Sequence, residues 1–253
     1  MRYCLLASGS RGNSIFVESG YGRVLVDVGL SARQIEERLR IREIDPATID
    51  AIVLTHSHSD HVRGVGVFAN RYQLPVYAHP DTLDSITRWL KPNQEIRPQV
   101  ERFSIKDISF TPFRLSHDCD PTVGFLIEIN GKKLAICTDL GVVTNEVKTH
   151  VSQAQALILE SNHDPDMLMA GPYPWELKER IAGRTGHLSN HNAGELLKEI
   201  LSGHLQQVVL GHLSLENNEP QLALGTTLDY IGSRFESMVD VVEQKTVSNM
   251  YAL

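Results

Sequence analysis

The stretch Thr55-His56-Ser57-His58-Ser59-Asp60-His61 gathers three imidazoles and a carboxylate into one short run. In extended backbone His56 and His58 point the same way and can share one cation. Asp60 and His61 follow at once and can turn towards a second. Imidazole and carboxylate suit Zn, Mn or Fe. The run follows directly on the apolar residues 51–55, which read as a buried strand. A strand held by the core, with a free loop beyond it, explains how four donors could converge. The competing interpretation is a solvated, His-rich turn.

Two cations need more donors, and later strand ends offer them. His117 follows residues 111–116, Asp139 follows 134–138, and His212 follows 208–210. Singly, each has a bland alternative, a capping aspartate or a histidine satisfied by backbone. Together, one His or Asp after successive apolar strands is what a site at one edge of a layered sheet requires. A carboxylate such as Asp139 can bridge two ions, which lie roughly 3.5–4 Å apart in two-metal hydrolases. Asp27, in the strand 23–28, reads as support for the ligand loop.

The elements that must position these groups are legible as alternation and punctuation. Strands are expected at 2–7, 14–18, 23–28, 51–55, 75–78, 109–114, 123–129, 132–138, 156–160 and 207–210, with Asn130-Gly131 as a hairpin turn. Helices are expected from Ser31, with Gln34 completing a capping box, then over 81–90, 175–182, 191–201 and 219–235. The pattern predicts two β-sheets with helices on their outer faces, in a single domain spanning 1–253.

The chain has 253 residues, 24 Lys+Arg against 31 Asp+Glu, 42% hydrophobic and 22% charged residues, and 11 His. These values exclude disordered, collagen-like and coiled-coil classes. No apolar run is long enough for a membrane span, and three widely spaced cysteines fit a reducing cytoplasm better than a disulfide framework. A net charge of −7 argues against nucleic-acid binding through bulk charge but not against a nuclease, because bound cations offset acidic groups.

The HxHxDH pattern, with Asp27 upstream and His117, Asp139 and His212 downstream, resembles the metallo-β-lactamase superfamily over essentially the whole chain. The resemblance implies a four-layer αββα sandwich of the α/β class with a dinuclear site at one edge. It implies that His56, His58 and His117 bind one divalent ion (Zn or Mn, with Fe also suited), that Asp60, His61 and His212 bind the other, and that Asp139 bridges them. Asp139 stands where dinuclear β-lactamases carry cysteine, which speaks against antibiotic hydrolysis. His58 stands where flavo-diiron proteins carry glutamate, and 139 to 212 is too short for the inserted domain of RNase J.

The segments around Glu160 and His187 resemble paired elements of RNase Z and PhnP-related phosphodiesterases, in which a Glu orients a His that protonates the leaving oxygen. Three stretches, 8–14, 171–175 and 212–220, are similar to the YycJ/WalJ-like bacterial nucleases. That implies 5′-to-3′ exonuclease action on DNA, with Asp60 orienting the attacking water, His187 as general acid and Glu160 holding its ring. Solvated surface roles remain the alternative for Glu160 and His187. Ser10, Arg11 and Asn13 could cradle a phosphate or simply form a turn. Tyr173 and Trp175 could stack on bases or pack, and His163 could line the cleft. A phosphodiesterase on small cyclic or diester phosphates, and a non-catalytic metal-stabilised binding module, are the other functions the sequence allows.

Overall fold

Short apolar strands terminated by Asp, Gly or His dominate both halves of the protein. The structure, a computed structural model, describes residues 1–119, 121–201 and 204–253. In chain order the strands are β1 (Arg2–Ala7), β2 (Ser14–Glu18), β3 (Arg23–Val26), β4 (Ala51–Val53), β5 (Val76–Ala78), β6 (Ile96–Pro98), β7 (Phe103–Ile105), β8 (Ile108–Arg114), β9 (Val123–Ile129), β10 (Lys132–Cys137), β11 (Ala156–Glu160), β12 (Gln207–Gly211), β13 (Val239–Val241) and β14 (Tyr251–Ala252). One seven-stranded sheet runs β14-β1-β2-β3-β4-β5-β6, the other β13-β12-β11-β10-β9-β8-β7. Two mixed sheets with helices are the α/β complement expected of the αββα fold. Packing divides the chain into two compact units, Met1–Pro112 with Ile127–Lys132 and Lys245–Leu253, and Phe113–Leu126 with Lys133–Gln244.

In the first unit, β1–β3 pair antiparallel and β3–β6 parallel. The helices are α1 (Ala32–Ile41), the single turn α2 (Ser59–Val62), α3 (Val65–Tyr72) and α4 (Pro80–Ile86). Ser31 caps α1 through the expected box with Gln34. Cys4, Leu6, Phe16 and Leu25 pack with Ile35, Leu39, Phe68 and Leu83 of the helices. The opposite face, Tyr3, Val17, Val24, Val26 and Val53, is equally closed to solvent. A strand buried on both faces reads as a continuous apolar run, which is why β4 showed no alternation.

In the second unit β10, β11, β12 and β13 pair in parallel. The helices are α5 (Asn145–Val151), α6 (Pro165–Ala170), α7 (Trp175–Ala182), α8 (Asn190–Ile200) and α9 (Pro220–Ile231). Leu157, Leu159, Val208 and Leu210 pack with Val147, Leu196 and Ala223. The expected helix 219–235 stops at Ile231 because Gly232 takes φ 97, and a 3-10 turn follows. No described helix is long and apolar enough to cross a membrane.

Candidate metal and acid–base site

In the first unit the ligand loop is built on the parallel pair β3–β4. Val26 pairs with Val53, so Asp27 falls beside the residues that leave β4. Asp27 takes a left-handed φ of 63, which ends β3 earlier than residue 28 and turns its carboxylate onto the loop. Its Oδ1 accepts the Thr55 N–H at 2.9 Å, and its Oδ2 accepts the Thr55 hydroxyl at 2.8 Å and His61 Nδ1–H at 2.8 Å. Because the hydroxyl proton goes to Asp27, Thr55 Oγ1 can only accept from His56 Nδ1, 2.9 Å away. Both rings therefore carry their proton on Nδ1 and keep the Nε2 lone pair. The His56 and His61 ring centroids are 4.0 Å apart, those of His56 and His58 4.9 Å.

Asp60 and His61 sit not on an open loop but on α2, which follows His58 at its N-cap. The turn keeps the His61 ring beside that of His56, so the three imidazoles of the run stay together. Asn13 closes over this turn. Its Oδ1 accepts the Gly9 N–H at 2.7 Å, and its Nδ2 lies 2.9 Å from His61 Nε2 and 3.3 Å from Asp60 Oδ2. Asn13 N–H also bonds Asp60 O at 2.7 Å, and Gly12 N–H bonds Gly9 O. The turn thus spends the amides of Gly9, Gly12 and Asn13 internally. Of the phosphate cradle that the sequence suggested, the exposed Ser10 and Arg11 remain. Gly29 is the pivot beneath it: a Cβ there would stand 1.6 Å from Asp60 O.

In the second unit, parallel register does the positioning. Cys137 pairs with Leu159 and Leu159 with Leu210, so Asp139, Glu160 and His212 leave three adjacent strands at the same edge. Asp139 and His212 both adopt left-handed backbone, φ 63 and 56. Asn162 Nδ2–H donates to the His212 carbonyl at 2.9 Å and pins that conformation. His212 Nε2 and His117 Nε2 approach the same oxygen, Asp139 Oδ1, at 3.4 and 3.8 Å. His117 Nδ1 is held by the Gly186 carbonyl at 3.1 Å.

Glu160 is wholly buried and joins His187 to His212. Its Oε1 receives both His187 Nδ1 and His212 Nδ1 at 2.7 Å, and its Oε2 receives the N–H groups of Leu140 and Leu188 at 2.7 and 3.2 Å. Burial alone would push this carboxyl up, but the His187 charge and the imidazole hydrogen bonds outweigh it and hold the carboxyl below its ordinary range. Burial likewise pulls His187 down, but the adjacent Glu160 carboxylate lifts it above the ordinary histidine value. The His187 side chain is 23% exposed, and with Nδ1 held by Glu160 its Nε2 is left for other partners. The Cys137 thiol is pushed up by burial and by Glu160, which makes it a packing residue.

Of the remaining candidates, His163 lies within electrostatic reach of Glu160 and His187. His163 is buried, bonds its carbonyl to the Asn190 N–H, and is held neutral by burial, its pKa lowered to about 4. Tyr173 is half-buried, and Trp175 is exposed beside Glu176 and Glu179. Several contributors were not legible in sequence: Thr55, Gly29, Asn162 and the Asp118–Arg180 pair, whose Oδ2 to Nε distance is 2.6 Å beside His117. Thr55 carried a local signal, sitting next to His56. The others depend on contacts between distant segments.

The donor chemistry fits divalent ions. His56, His61, His117 and His212 each have Nδ1 engaged by an oxygen, the arrangement that fixes the tautomer and leaves Nε2 as the donor atom for a metal, with Asn13 Nδ2 facing the Nε2 of His61. Comparison with known proteins agrees. A family model described as the Beta-lactamase superfamily domain matches residues 22–213. The chain is 35% identical over 229 residues to exodeoxyribonuclease YycJ of Bacillus anthracis, covering 88% of this chain and 86% of that one. It is 35% identical over 236 residues to exodeoxyribonuclease WalJ of Streptococcus pneumoniae, covering 91% and 88%. The crystal structure of the metallo-β-lactamase fold protein YhfI from Bacillus subtilis superposes with a TM-score of 0.75 at 16% identity, covering 98% of both chains. The chain belongs to the metallo-β-lactamase superfamily and, within it, to the YycJ/WalJ family of metal-dependent hydrolases. Divalent metal ions come with that family.

Proposed function

We propose that the protein is a dinuclear metal-dependent phosphodiesterase that degrades DNA from the 5′ end. In this reading His56, His58 and His117 hold one ion, Asp60, His61 and His212 hold the other, and Asp139 serves both. Zn and Mn suit this donor set best, with Fe also accommodated. The ions would supply Lewis acidity towards the phosphodiester oxygens and lower the pKa of an attacking water. Asp60 orients that water by accepting its hydrogen bond. His187, whose protonated form the Glu160 carboxylate favours, delivers a proton from Nε2 to the departing oxygen. Three free cysteines suit a cytoplasmic setting.

The observation that carries the reading is Glu160 Oε1, shared at 2.7 Å between His187 and His212. One carboxylate thereby couples an acid to a metal ligand, an arrangement a purely structural metal site does not need. The names of the YycJ and WalJ relatives support DNA as substrate. Purified protein with Mn²⁺ should release mononucleotides from 5′-labelled DNA before the 3′ label is freed, and His58→Ala should abolish release. Full activity in that variant would reject the assignment. Turnover of a chromogenic diester without any of DNA would favour a small-phosphodiester substrate. DNA binding without turnover of either would favour a binding module.

A further inference from the structure

The first unit carries an exposed aromatic and basic surface a short step from its ligand loop. Gly66 follows His61 by five positions and lies in the first turn of α3, directly under Trp89; a Cβ at Gly66 would stand 2.0 Å from the Trp89 carbonyl oxygen. Only glycine permits that approach, so the backbone of the 3-10 turn Thr87–Trp89 is docked on the helix next to the one bearing Asp60 and His61. Trp89 is 41% exposed and Val67, on the same helix, 56% exposed. The Arg88 guanidinium lies over the Trp89 ring at 4.8 Å. Arg63, one turn before Val67, and Lys91 are also exposed. None of Arg63, Arg88 and Lys91 makes an ion pair among the described residues, whereas Arg71 of the same helix is bound to Glu36.

We propose that Arg63, Val67, Arg88, Trp89 and Lys91 form a docking platform for single-stranded nucleic acid, with a base stacked on Trp89. The choice of ligand rests on the nuclease reading above, and charge complementarity supports it: a protein of net charge −7 gathers three uncommitted cations here. Cations that track the backbone, interleaved with an aromatic face and an arginine stacked on it, are the elements of sequence-tolerant strand binding. Trp175 is the more exposed tryptophan, but Glu176 and Glu179 beside it would repel phosphates. A platform leading away from the ligand loop would hold the strand while its end is cleaved.

The protein has two tryptophans, so Trp175→Phe leaves Trp89 as the sole indole reporter. That variant, in its metal-loaded form, is titrated with cleavage-resistant phosphorothioate oligothymidylate and with an abasic phosphorothioate oligomer of equal length. Stacking predicts that oligothymidylate quenches Trp89 emission and that the abasic strand does not. It also predicts that Trp89→Ala weakens binding about 5- to 100-fold. Arg88→Ala should lower the slope of log affinity against log salt by about one. Absence of quenching, or equal quenching by the abasic strand, overturns the platform. DNA digestion by the wild-type protein, measured in parallel with Mn²⁺, tests the nuclease reading separately: digestion without quenching rejects the platform alone, and no digestion rejects the nuclease reading.

Discussion

Replacing Glu160 with glutamine preserves the shape of a fully buried side chain while removing its charge and one acceptor. The carboxylate receives four hydrogen bonds, two per oxygen: His187 and His212 on Oε1, Leu140 and Leu188 amides on Oε2. Glutamine must turn its NH₂ towards one of those pairs. Facing the backbone, it orphans two buried N–H donors at about 1–3 kcal/mol each, a loss of about 2–6 kcal/mol. Facing the rings, it forces His187 and His212 to accept at Nδ1, which places the His212 proton on Nε2 and blocks that ligand. Either arrangement also removes the charge that raises the His187 pKa. A general acid contributes typically 10²–10⁴-fold, so Glu160→Gln should lower kcat on DNA by about that factor. A loss of that size in stability should lower Tm by about 4–20 °C. Calorimetry, metal content and single-turnover cleavage of labelled DNA check the three effects. A Glu160→Gln protein with wild-type kcat, melting and metal content would refute the role assigned to this carboxylate.

Three further outcomes follow from other parts of the molecule. Gly29→Ala would drive a methyl group to 1.6 Å from Asp60 O, so the ligand turn must shift; overpacking of about 1–3 kcal/mol or more and weakened metal binding are expected, read by melting and by metal titration. His163 has its folded pKa depressed to about 4, below the ordinary 6.5. The unfolded chain then binds more protons between those values, so His163 contributes stability that is complete above pH 6.5 and is lost as the pH falls towards 4, by about 3 kcal/mol in all. Urea unfolding at pH 7.5 and 4.5 should show that fall in the wild type and a smaller one in His163→Gln. Among the free cysteines, burial raises the Cys4 thiol to about 12 and raises Cys137 as well, whereas Cys119 is half-exposed. Native protein at pH 8 should therefore lose one thiol quickly to an alkylating agent and the other two only on unfolding, with mass spectrometry placing the first at Cys119.

Much of the fold was legible because its signals are local. Asn130 and Gly131 do form a left-handed hairpin pair, φ 51 and 76, and Ser31 with Gln34 does cap α1. Strand ends were less legible: β3 and β4 stop at Val26 and Val53 because Asp27 leaves the ladder to bind Thr55 and His61. Helices α5 and α6 were missed although Thr144 and Asp164-Pro165 are proper starts, since six or seven residues give too little periodicity to weigh. The edge strands β6, β13 and β14 are two or three residues long and have no pattern of their own. At the site, the run from His56 to His61 could be read because its donors are consecutive. That Glu160 serves His212 as well as His187 follows only from the register of β11 against β12, which pairs Glu160 with Gly211.

The most direct measurement is the metal content of protein equilibrated with Mn²⁺ or Zn²⁺ and freed of excess, for the wild type and for Asp139→Ala. A dinuclear centre predicts about two tightly held ions per chain in the wild type. Loss of the shared carboxylate should leave at most one, together with loss of DNA cleavage. A wild-type chain that retains no ion, or an Asp139→Ala chain that keeps both, would contradict the account.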